Sequence, residues 1–542
     1  MNYRDIQSVE DLKAFFPSLN ESRIDEKKGD GKADADVKQT IFYDDKLDMQ
    51  YADTKEVSNI FKHIVIFTNN RDPKENKTLK NIYEAIDEFK KAKLDIIPEL
   101  HVFVAAEVDS KEDESEITIQ DDKGKFVISE ANNTDTLIFS RLGVQDEYDC
   151  EHAVKLLQDR GFLVLNPVQF ASIACNKYET AVLLQKAGIP QPNFTLMTKD
   201  ILYDEKAFNN AMKEIYKDWD TKDNDKNEDK DLVIKILDGH GGTGVFLENG
   251  KRFYAVLQAI FAKMPDLELI IQKKEEADGG DIRVHVLTLN DRQVILAAMK
   301  RVKIGGDFRS NVSLGATAEP VKLTKEQEQI ALKTAKVSKL PWCAVDIMPI
   351  VKGSNKELGE NAVLEINASP GTDGISEVMK ENFVRVLINQ LKDPSEFYLQ
   401  DKTAGYIESI KVCWKEGLTK TYLAKLDTGN GSYASHVEVG DYKEDGKKIT
   451  FKIDGEEITM DIDSRSHAKT GESETSDRPV VIIPYIKIGL RQANNVKMAI
   501  VKARKKSTNA LVNRELIGKM GYVVSPRQTH ILTPEMEKIK IL

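Results

Sequence analysis

The feature that most constrains the fold is a glycine-rich loop between two short apolar segments. Val233–Leu237 predicts one strand, Val245–Leu247 predicts another, and Asp238–Gly244 (Asp-Gly-His-Gly-Gly-Thr-Gly) connects them. The glycine spacing matches the dinucleotide fingerprint, but that fingerprint opens a helix, whereas a strand-like segment follows here. We therefore predict a hairpin whose backbone N–H groups can cradle phosphates; the alternative is an ordinary glycine-rich turn. The sequence contains no P-loop motif.

A second set of polar residues lies further along the chain, on apolar segments. Glu365 and Asn367 are two residues apart within Val363–Asn367, so both side chains leave the same face of a strand. Asp346 lies in another apolar segment, where a carboxylate is costly unless it binds a ligand or a partner. Carboxylate and amide oxygens suit Mg²⁺, which proteins commonly share with phosphate groups. These patterns predict a ligase driven by ATP.

Composition excludes several other classes of protein. At 542 residues the chain is too long for one ordinary core, and we expect about two to four domains. An apolar content of 41% and a charged content of 31% are typical of a soluble globular protein. The net charge of −11 argues against nucleic acid as the main partner. No apolar run is long enough to span a membrane, and the four scattered cysteines favour reduced thiols in a cytoplasmic protein.

The patterns along the chain divide it into segments of different character. The first is polar and rich in Lys and Asp, the next two alternate strands with helices, and the last has short strands and turns such as Glu444–Gly446. We predict a flexible or weakly ordered extension (1–58), an α/β domain (59–170), a catalytic domain (171–395), a linker (396–404) and a mostly β domain (405–542).

Separated motifs in the middle of the chain occur in a fixed order: Asp281-Ile-Arg283, Lys300-Arg301, Gly306–Asn311, Asp346 and Leu364–Gly371. Together they resemble the ATP-grasp superfamily, and within it the RimK-like amino-acid ligases, over about Leu137 to Ile375. The resemblance implies an α/β (α+β) ATP-grasp fold preceded by an α/β domain. It also implies ATP and Mg²⁺ (or Mn²⁺) as cofactors, and a reaction in which ATP phosphorylates a carboxylate and an amine attacks the acyl phosphate.

The resemblance assigns roles to individual residues. It places the nucleotide phosphates at Lys177, Lys235, Gly241, Gly242, Thr243 and Gly244. It places adenine at Gln272 and Lys273, and the metal ion at Asp346, Glu365 and Asn367. It assigns two roles, holding the acceptor carboxylate and stabilising the tetrahedral intermediate, to Arg283, Arg301, Arg309 and Asn311. Arginine suits that role because its planar fork binds carboxylates in a bidentate manner.

These residues also have structural interpretations. Lys235 can be an edge lysine whose charge reaches solvent, and Arg301 and Arg309 can be surface charges. The sequence departs from the family after Asn311, where Leu314-Gly-Ala316 replaces a basic residue and two glycines, and at Lys273, where an acidic residue is common. These departures concern the identity of the substrate more than the use of ATP.

A third motif lies in the predicted β domain. Ala424–Asp427 is an apolar strand that leads into Asp427-Thr-Gly429, and Leu511–Gly518 predicts a supporting strand and short helix. The pair resembles the retropepsin-like aspartic peptidases, and more closely the RimB-like relatives that accompany RimK-like ligases and are often called zinc proteases. This implies a retropepsin-like barrel in which paired carboxylates activate water. Because the chain has one such motif, an active peptidase would need a homodimer.

Several alternatives stay open. The β domain can be an inactive docking module, and a zinc site there would have only His436, His467 and His530 as ligands, without a zinc motif. The favoured hypothesis is a cytoplasmic homo-oligomer, a dimer or a tetramer. Its ligase half would add an amino acid, most simply glutamate, to the C-terminal carboxylate of a protein or peptide, and its peptidase half would trim the product. The other enzymatic hypothesis is a ligase for small molecules.

Overall fold

The computed structural model describes a single unit that falls within Asp45–Leu542. The described residues are 50–112, 117–128, 133–141, 148–220, 222–237, 244–290, 292–302, 317–352, 355, 358–397, 401–470, 474–502 and 507–533. Three of the predicted segments fall within these ranges as distinct layers of structure. Most of the predicted N-terminal extension lies outside them.

The first layer is an α/β lobe. It follows β1 (Gln50–Tyr51), which belongs to a sheet of the second layer. The strands of the lobe are β2 (His63–Thr68), β3 (Glu99–Val104), β4 (Asp109–Glu112), β5 (Ile117–Gln120), β6 (Lys125–Ile128), β7 (Thr136–Ser140) and β8 (Leu163–Leu165). Its helices are α1 (Lys77–Lys91), α2 (Tyr148–Asp159) and a 3₁₀ turn, Ala105–Glu107. The sheet has the order β3-β2-β7-β8 and all of these pairs are parallel. One face packs on α1, whose apolar side chains recur at helical spacing and are buried, as predicted.

The first strand shows where the predicted extension ends. β1 pairs in parallel with β14 of the next layer, and the backbone oxygens of Thr54 and Glu56 accept hydrogen bonds from Arg385 (2.9 and 2.6 Å). Residues 50–58 belong to the predicted N-terminal extension, and the structure describes them as part of this packing. Their backbone is held because it satisfies a buried guanidinium.

The second layer contains two sheets. Its strands are β9 (Phe194–Met197), β10 (Asp231–Ile236), β11 (Val245–Asn249), β12 (Leu269–Lys273), β13 (Asp281–Thr288), β14 (Gln293–Val302), β15 (Thr317–Pro320), β16 (Trp342–Pro349) and β17 (Asn361–Asn367). Its helices are α3 (Val168–Cys175), α4 (Lys177–Lys186), α5 (Lys199–Tyr203), α6 (Glu205–Ile215), α7 (Gly250–Lys263), α8 (Lys325–Ser338), α9 (Asp373–Met379) and α10 (Phe383–Asn389), with 3₁₀ turns at Asn224–Asn227 and Pro394–Phe397.

The two sheets have different roles in the layer. The smaller has the order β11-β10-β12-β9 and is antiparallel throughout. The hairpin that we predicted from the glycine-rich loop is therefore confirmed, because β10 and β11 pair directly on either side of it. The larger sheet has the order β1-β14-β13-β16-β17, with β15 added on β14. Its buried strand interiors form a core with α1 and α10.

The third layer is a β domain. Its strands are β18 (Lys402–Gly405), β19 (Ile407–Lys415), β20 (Leu418–Asp427), β21 (Ser435–Glu438), β22 (Tyr442–Asp445), β23 (Lys448–Ile453), β24 (Glu456–Asp461), β25 (Ser464–Thr470), β26 (Glu474–Ile488), β27 (Arg491–Val501), β28 (Ala510–Asn513) and β29 (Tyr522–Ser525). One helix, α11 (Arg514–Lys519), follows β28. The strands β19-β20-β28-β21-β27-β26 close into a six-stranded barrel, because β26 also pairs with β19. Closure removes the exposed edges that an open sheet would have.

The barrel is fastened to the rest of the chain by polar contacts. Lys519 Nζ lies 2.7 Å from Asp393 Oδ2, and Asn290 Nδ2 donates to the backbone oxygen of Lys519 (2.6 Å). β18, most of which falls in the predicted linker, pairs with β29. The linker is therefore partly built into the β domain. Among the described residues, no helix has the length and apolarity needed to cross a membrane.

Candidate functional site

Four strands of the larger sheet bring a row of charged side chains together. Asp281 lies opposite Arg301 across β13 and β14, and Arg283 lies opposite Asp346 across β13 and β16. Asp346 in turn lies opposite Glu365 across β16 and β17. Side chains of directly opposed residues share one face of a sheet and come within contact distance. Strand register alone therefore builds the row.

Hydrogen bonds join the charged side chains of the row into a network. Arg283 donates from Nε to Asp346 Oδ1 (2.7 Å) and from Nη2 to Oδ2 (2.6 Å). Arg301 donates from Nε and Nη2 to the two oxygens of Asp281 (2.6 and 2.8 Å) and also from Nη2 to Asp346 Oδ2 (2.7 Å). We predicted that both arginines hold the acceptor carboxylate, and the structure pairs them with carboxylates of the protein. Such bidentate pairs fix orientation as well as charge.

The charges of the network are mutually dependent. Burial alone would raise the pKa of Asp346, but Arg283 and Arg301 outweigh it and hold that pKa below its usual range. Burial and the neighbouring Asp346 carboxylate raise the pKa of Asp281, against the pull of Arg301. Asp346 is therefore the permanent anion at the centre of the row. A buried charge is stable only with partners of this kind.

Glu365 and Asn367 both lie on β17 and complete the network at that strand. The Asn367 amide lies 3.2 Å from Glu365 Oε1 and 3.4 Å from Asp346 Oδ2. The Glu365 side chain is 41% exposed, and its nearest arginine nitrogen, Nη2 of Arg283, is 3.8 Å away. Two carboxylates and an amide oxygen, which a half-turn of the Asn367 amide would present, are the hard donors that Mg²⁺ prefers. The three residues therefore fit a divalent cation shared with a phosphate.

Two lysines approach the same residues from other elements. Lys177 is the first residue of α4, and its Nζ donates to the backbone oxygen of Leu237 at the end of β10 (3.4 Å). Burial lowers the pKa of Lys235 on β10 to about 8, Glu365 opposes that shift, and Lys177 adds to it. The two cations are thus close enough to each other and to Glu365 to interact electrostatically. This arrangement offers positive charge to phosphates beside the carboxylates.

The remaining predicted nucleotide residues divide into two groups. Gln272 is buried on β12, and Lys273 next to it forms an ion pair with Glu275 (3.3 Å) and lies over the Tyr216 ring. Gly244 directly precedes β11 and has a φ of +72°. A Cβ added there would lie 2.7 Å from the Ile236 side chain. This position therefore needs glycine. Five predicted residues lie outside the described part of the chain: Gly241, Gly242, Thr243, Arg309 and Asn311.

Sequence reasoning missed two residues beside the network. Asp281 belongs to a motif that we recognised, but its role as the partner of Arg301 depends on strand register. Arg141 follows β7 directly, donates from Nη1 to the Pro370 oxygen (3.0 Å) and lies over the Trp342 ring at 5.9 Å. Burial lowers its pKa to about 10. A charged residue at the carboxyl end of a buried parallel strand was the available signal.

Asp427 lies apart from this network, at the end of barrel strand β20. Its Oδ1 accepts from the Gly429 N–H (3.2 Å) and its Oδ2 lies 3.4 Å from Lys425 Nζ. The turn that follows is tied to the segment after β28, because the Arg514 N–H donates to the Asn430 oxygen (3.0 Å). Of the histidines considered for zinc, His530 is buried, and the described side chains of His436 and His530 join no cluster able to hold a metal ion. The side chain of His467 lies outside the described part of the chain.

The similarity to known protein families lies mainly in the second layer of the structure. Residues 174–391 match the family model of the RimK-like ATP-grasp domain. "Probable alpha-L-glutamate ligase" of Vibrio atlanticus (strain LGP32) is 40% identical over 147 residues, which are 27% of this chain and 45% of that protein. The protein of the same name from Marinomonas sp. (strain MWYL1) is 33% identical over 175 residues, 32% of this chain and 54% of that protein. The chain spans about half the length of these curated relatives.

Solved structures give a weaker likeness. The ATP-grasp ligase PsnB in complex with a minimal precursor is 16% identical, with a TM-score of 0.43, covering 62% of this chain and 98% of that chain. D-alanyl-alanine synthetase A from Vibrio cholerae O1 biovar eltor str. N16961 is 15% identical, with a TM-score of 0.40, covering 62% and 99%. Both scores are below 0.5, and these likenesses carry no argument about this chain.

Proposed function

We propose that the RimK-like ATP-grasp domain makes this protein an ATP-dependent carboxylate–amine ligase that adds glutamate to the C-terminal carboxylate of a protein or peptide. The observation that carries the proposal is the charged row on the larger sheet. It places an ionised Asp346, the exposed carboxylate of Glu365 and the Asn367 amide beside two lysines. Curated relatives over this domain are called alpha-L-glutamate ligases, which supports glutamate as the first amino acid to test.

The proposed reaction has two steps that conserve all atoms. An oxygen of the acceptor carboxylate attacks the γ-phosphorus of ATP, so an acyl phosphate forms and ADP leaves. The amine of glutamate then attacks the acyl carbon, the C–O bond to phosphate breaks, and the amine proton passes to solvent or to the departing phosphate. A bound Mg²⁺ would neutralise phosphate charge during the transfer.

The residues of the chain act by position and charge in this scheme. Lys177 and Lys235 bind the nucleotide phosphates, and Asp346, Glu365 and Asn367 hold the cation. Arg283 and Arg301 fix the Asp346 carboxylate in place, and their positive charge favours the developing oxyanion of the second step. Arg309 and Asn311 are proposed to bind the acceptor carboxylate. Side chains held this firmly contribute by preorganisation, because nothing has to move as charge develops.

The test is ADP release by the full-length protein with Mg-ATP, a peptide that ends in a free carboxylate as acceptor, and each standard amino acid in turn. Glu365→Gln removes one metal-binding carboxylate, and Glu360→Gln is the matched control, because it makes the same change on the exposed turn before β17. We expect glutamate to stimulate ADP release in the unaltered protein and in Glu360→Gln, and not in Glu365→Gln. Equal release by all three proteins would contradict the proposed site.

The acceptor is tested separately. Intact masses of peptides that end in a free or an amidated carboxylate are compared after incubation with glutamate and Mg-ATP. Mass increases that match glutamate residues, restricted to peptides with a free C-terminus, support the proposed acceptor. Mass increases only on free amino acids would instead favour the small-molecule ligase, with the β domain as a docking module.

A second activity is proposed for the β domain, as an aspartic peptidase that trims the product. The supporting observation is that Asp427 leaves the end of a strand in a closed six-stranded barrel, on a turn tied to the segment after β28. Activity would require a second copy of the chain to supply the other carboxylate, which gives the proposed homo-oligomer. We expect Asp427→Asn to lengthen the glutamate tails seen by intact mass, whereas Asp445→Asn, at the exposed end of β22, leaves them unchanged. Unchanged tail lengths in both variants would contradict the proposed peptidase activity and would not affect the proposed ligase activity.

A further inference from the structure

A cluster of metal-binding side chains lies in the α/β lobe. His63 Nδ1 lies 3.2 Å from His101 Nε2, and Glu99 Oε2 lies 3.8 Å from the first and 3.9 Å from the second. The three residues come from two paired parallel strands, with His63 of β2 opposite Glu99 of β3 and His101 two residues further on. They share one face of the sheet because alternate residues of a strand point the same way.

These distances match the edges of a zinc coordination sphere. With zinc–nitrogen bonds of about 2.0–2.1 Å, two ligand atoms of a tetrahedral site are about 3.3–3.4 Å apart. The histidine nitrogens already have this separation, and the Glu99 oxygen needs to move by only a few tenths of an ångström. Glu99 can make that movement, because its side chain is 69% exposed. Two histidines and one glutamate form a known zinc donor set that leaves one position open.

The histidine rings are held in place before any ion binds. Phe126 of β6 is buried, and its ring centroid lies 5.5 Å from that of His63 and 4.6 Å from that of His101. Burial lowers the pKa of His101, Glu99 opposes that shift, and His63 adds to it. In the short nitrogen–nitrogen contact one ring donates to the other, and a bound ion would take the place of that hydrogen bond.

The position of the cluster separates it from the ligase site. His63 and Glu99 are the first residues of β2 and β3, whereas Arg141 follows the last residue of β7 in the same parallel sheet. The amino ends and the carboxyl ends of parallel strands lie on opposite edges. Arg141, at the carboxyl edge, donates to the Pro370 oxygen in the loop that follows Asn367, whereas the two histidines and Glu99 lie towards the amino edge.

We propose that His63, Glu99 and His101 bind a single Zn²⁺ ion that clamps β2 to the edge strand β3 and stabilises the α/β lobe. This assignment does not depend on the proposed ligase activity. The clamp joins two strands at the edge of a sheet, where pairing on one side only leaves a strand less firmly held.

The test is titration of the full-length, metal-free protein with Co²⁺ as a spectroscopic probe for zinc, in excess Mg²⁺ so that the carboxylate site is filled. We expect a visible absorption band of tetrahedral intensity that saturates at one equivalent and is displaced by Zn²⁺. Zinc is also expected to raise the melting temperature of the protein. His101→Asn and Glu99→Gln should weaken both effects, and His152→Asn, which changes an exposed histidine on α2, should not.

The result that would overturn the proposal is equal cobalt binding and equal zinc stabilisation in the unaltered protein and in Glu99→Gln and His101→Asn. The absence of any cobalt band in the unaltered protein would overturn it as well. Glu99→Gln keeps the experiment informative if His101→Asn misfolds, because a largely exposed side chain contributes little to the core.

Discussion

Arg283 and Asp346 face each other across two neighbouring strands, and both carboxylate oxygens of Asp346 accept from the Arg283 guanidinium, at 2.7 and 2.6 Å. The pair is buried at the centre of the charged row, with Arg301 as a further donor to Asp346. A residue that we first identified as a metal ligand is therefore also the anchor of two arginines. The structure gives Asp346 a role in stability that Glu365 does not share.

That difference predicts that the two residues affect stability unequally. Asp346→Asn takes the bidentate carboxylate partner from Arg283 and leaves Arg301 with Asp281 alone, and we expect it to cost about 3–5 kcal/mol of unfolding free energy. Glu365→Gln changes a side chain that is 41% exposed, and we expect the melting temperature to stay the same. Both variants should lose glutamate-stimulated ADP release. Thermal unfolding of the two variants checks this, and equal melting temperatures would show that Asp346 does not anchor the network.

Nucleotide binding should depend on pH through Lys235. Its pKa is about 8 in the folded protein, so the ammonium charge offered to the phosphates is present below pH 8 and is lost above it. We expect the affinity for Mg-ATP to fall between pH 7 and pH 9, and Lys235→Arg, which stays charged, to bind equally over that range. Calorimetry at each pH measures this. A parallel decline in the Arg variant would assign the effect to another group.

The same pKa predicts the pH dependence of stability. Because Lys235 binds its proton less tightly in the folded state than its ordinary value of 10.5, the unfolded chain binds more protons between about pH 8 and 10.5. The contribution of Lys235 to stability is therefore unfavourable below pH 8 and improves as the pH rises through that window. Lys235→Met should remove this rise, as measured by denaturant unfolding of the metal-free protein.

Arg141 should act through the loop that follows Asn367. Its hydrogen bond to the Pro370 oxygen ties the α/β lobe to that loop. Residues that support metal ligands typically change metal affinity or activity by about 10- to 100-fold when they are removed. We expect Arg141→Met to raise the Mg²⁺ concentration needed for half-maximal ADP release by such a factor, and Lys155→Met, on the exposed face of α2, to leave it unchanged. An unaltered Mg²⁺ requirement in Arg141→Met would exclude this coupling.

The N-terminal segment allows a prediction about stability. Deleting residues 1–49 removes no described contact, but deleting residues 1–58 removes β1 and the backbone oxygens that accept from buried Arg385. An unsatisfied buried donor costs about 1–3 kcal/mol, and more if it is charged. We expect the longer deletion to lower the melting temperature clearly below that of the shorter one. Equal melting temperatures would mean that residues 50–58 are dispensable for packing.

Local patterns predicted much of the fold because they depend on near neighbours in sequence. Alternation put Glu365 and Asn367 on one face of β17, helical spacing identified the buried side of α1, and glycines marked the β10–β11 hairpin. The same patterns gave no signal for the contacts of residues 50–58, whose sequence is polar. Those residues are ordered by distant groups such as Arg385 and β14, which nearby sequence cannot reveal.

The sequence by itself determined which chemical groups are present and which secondary structure carries each of them, because periodicity and turn chemistry act over a few residues. Only the tertiary structure decided how those groups are paired. Arg283 and Asp346 are 63 residues apart, and the register that sets them opposite each other comes from the packing of whole strands. The same holds for His63 and His101, which meet because β2 and β3 pair in parallel. A shift of one residue in either pairing would turn its side chains to opposite faces and separate the residues of the site that the pairing builds.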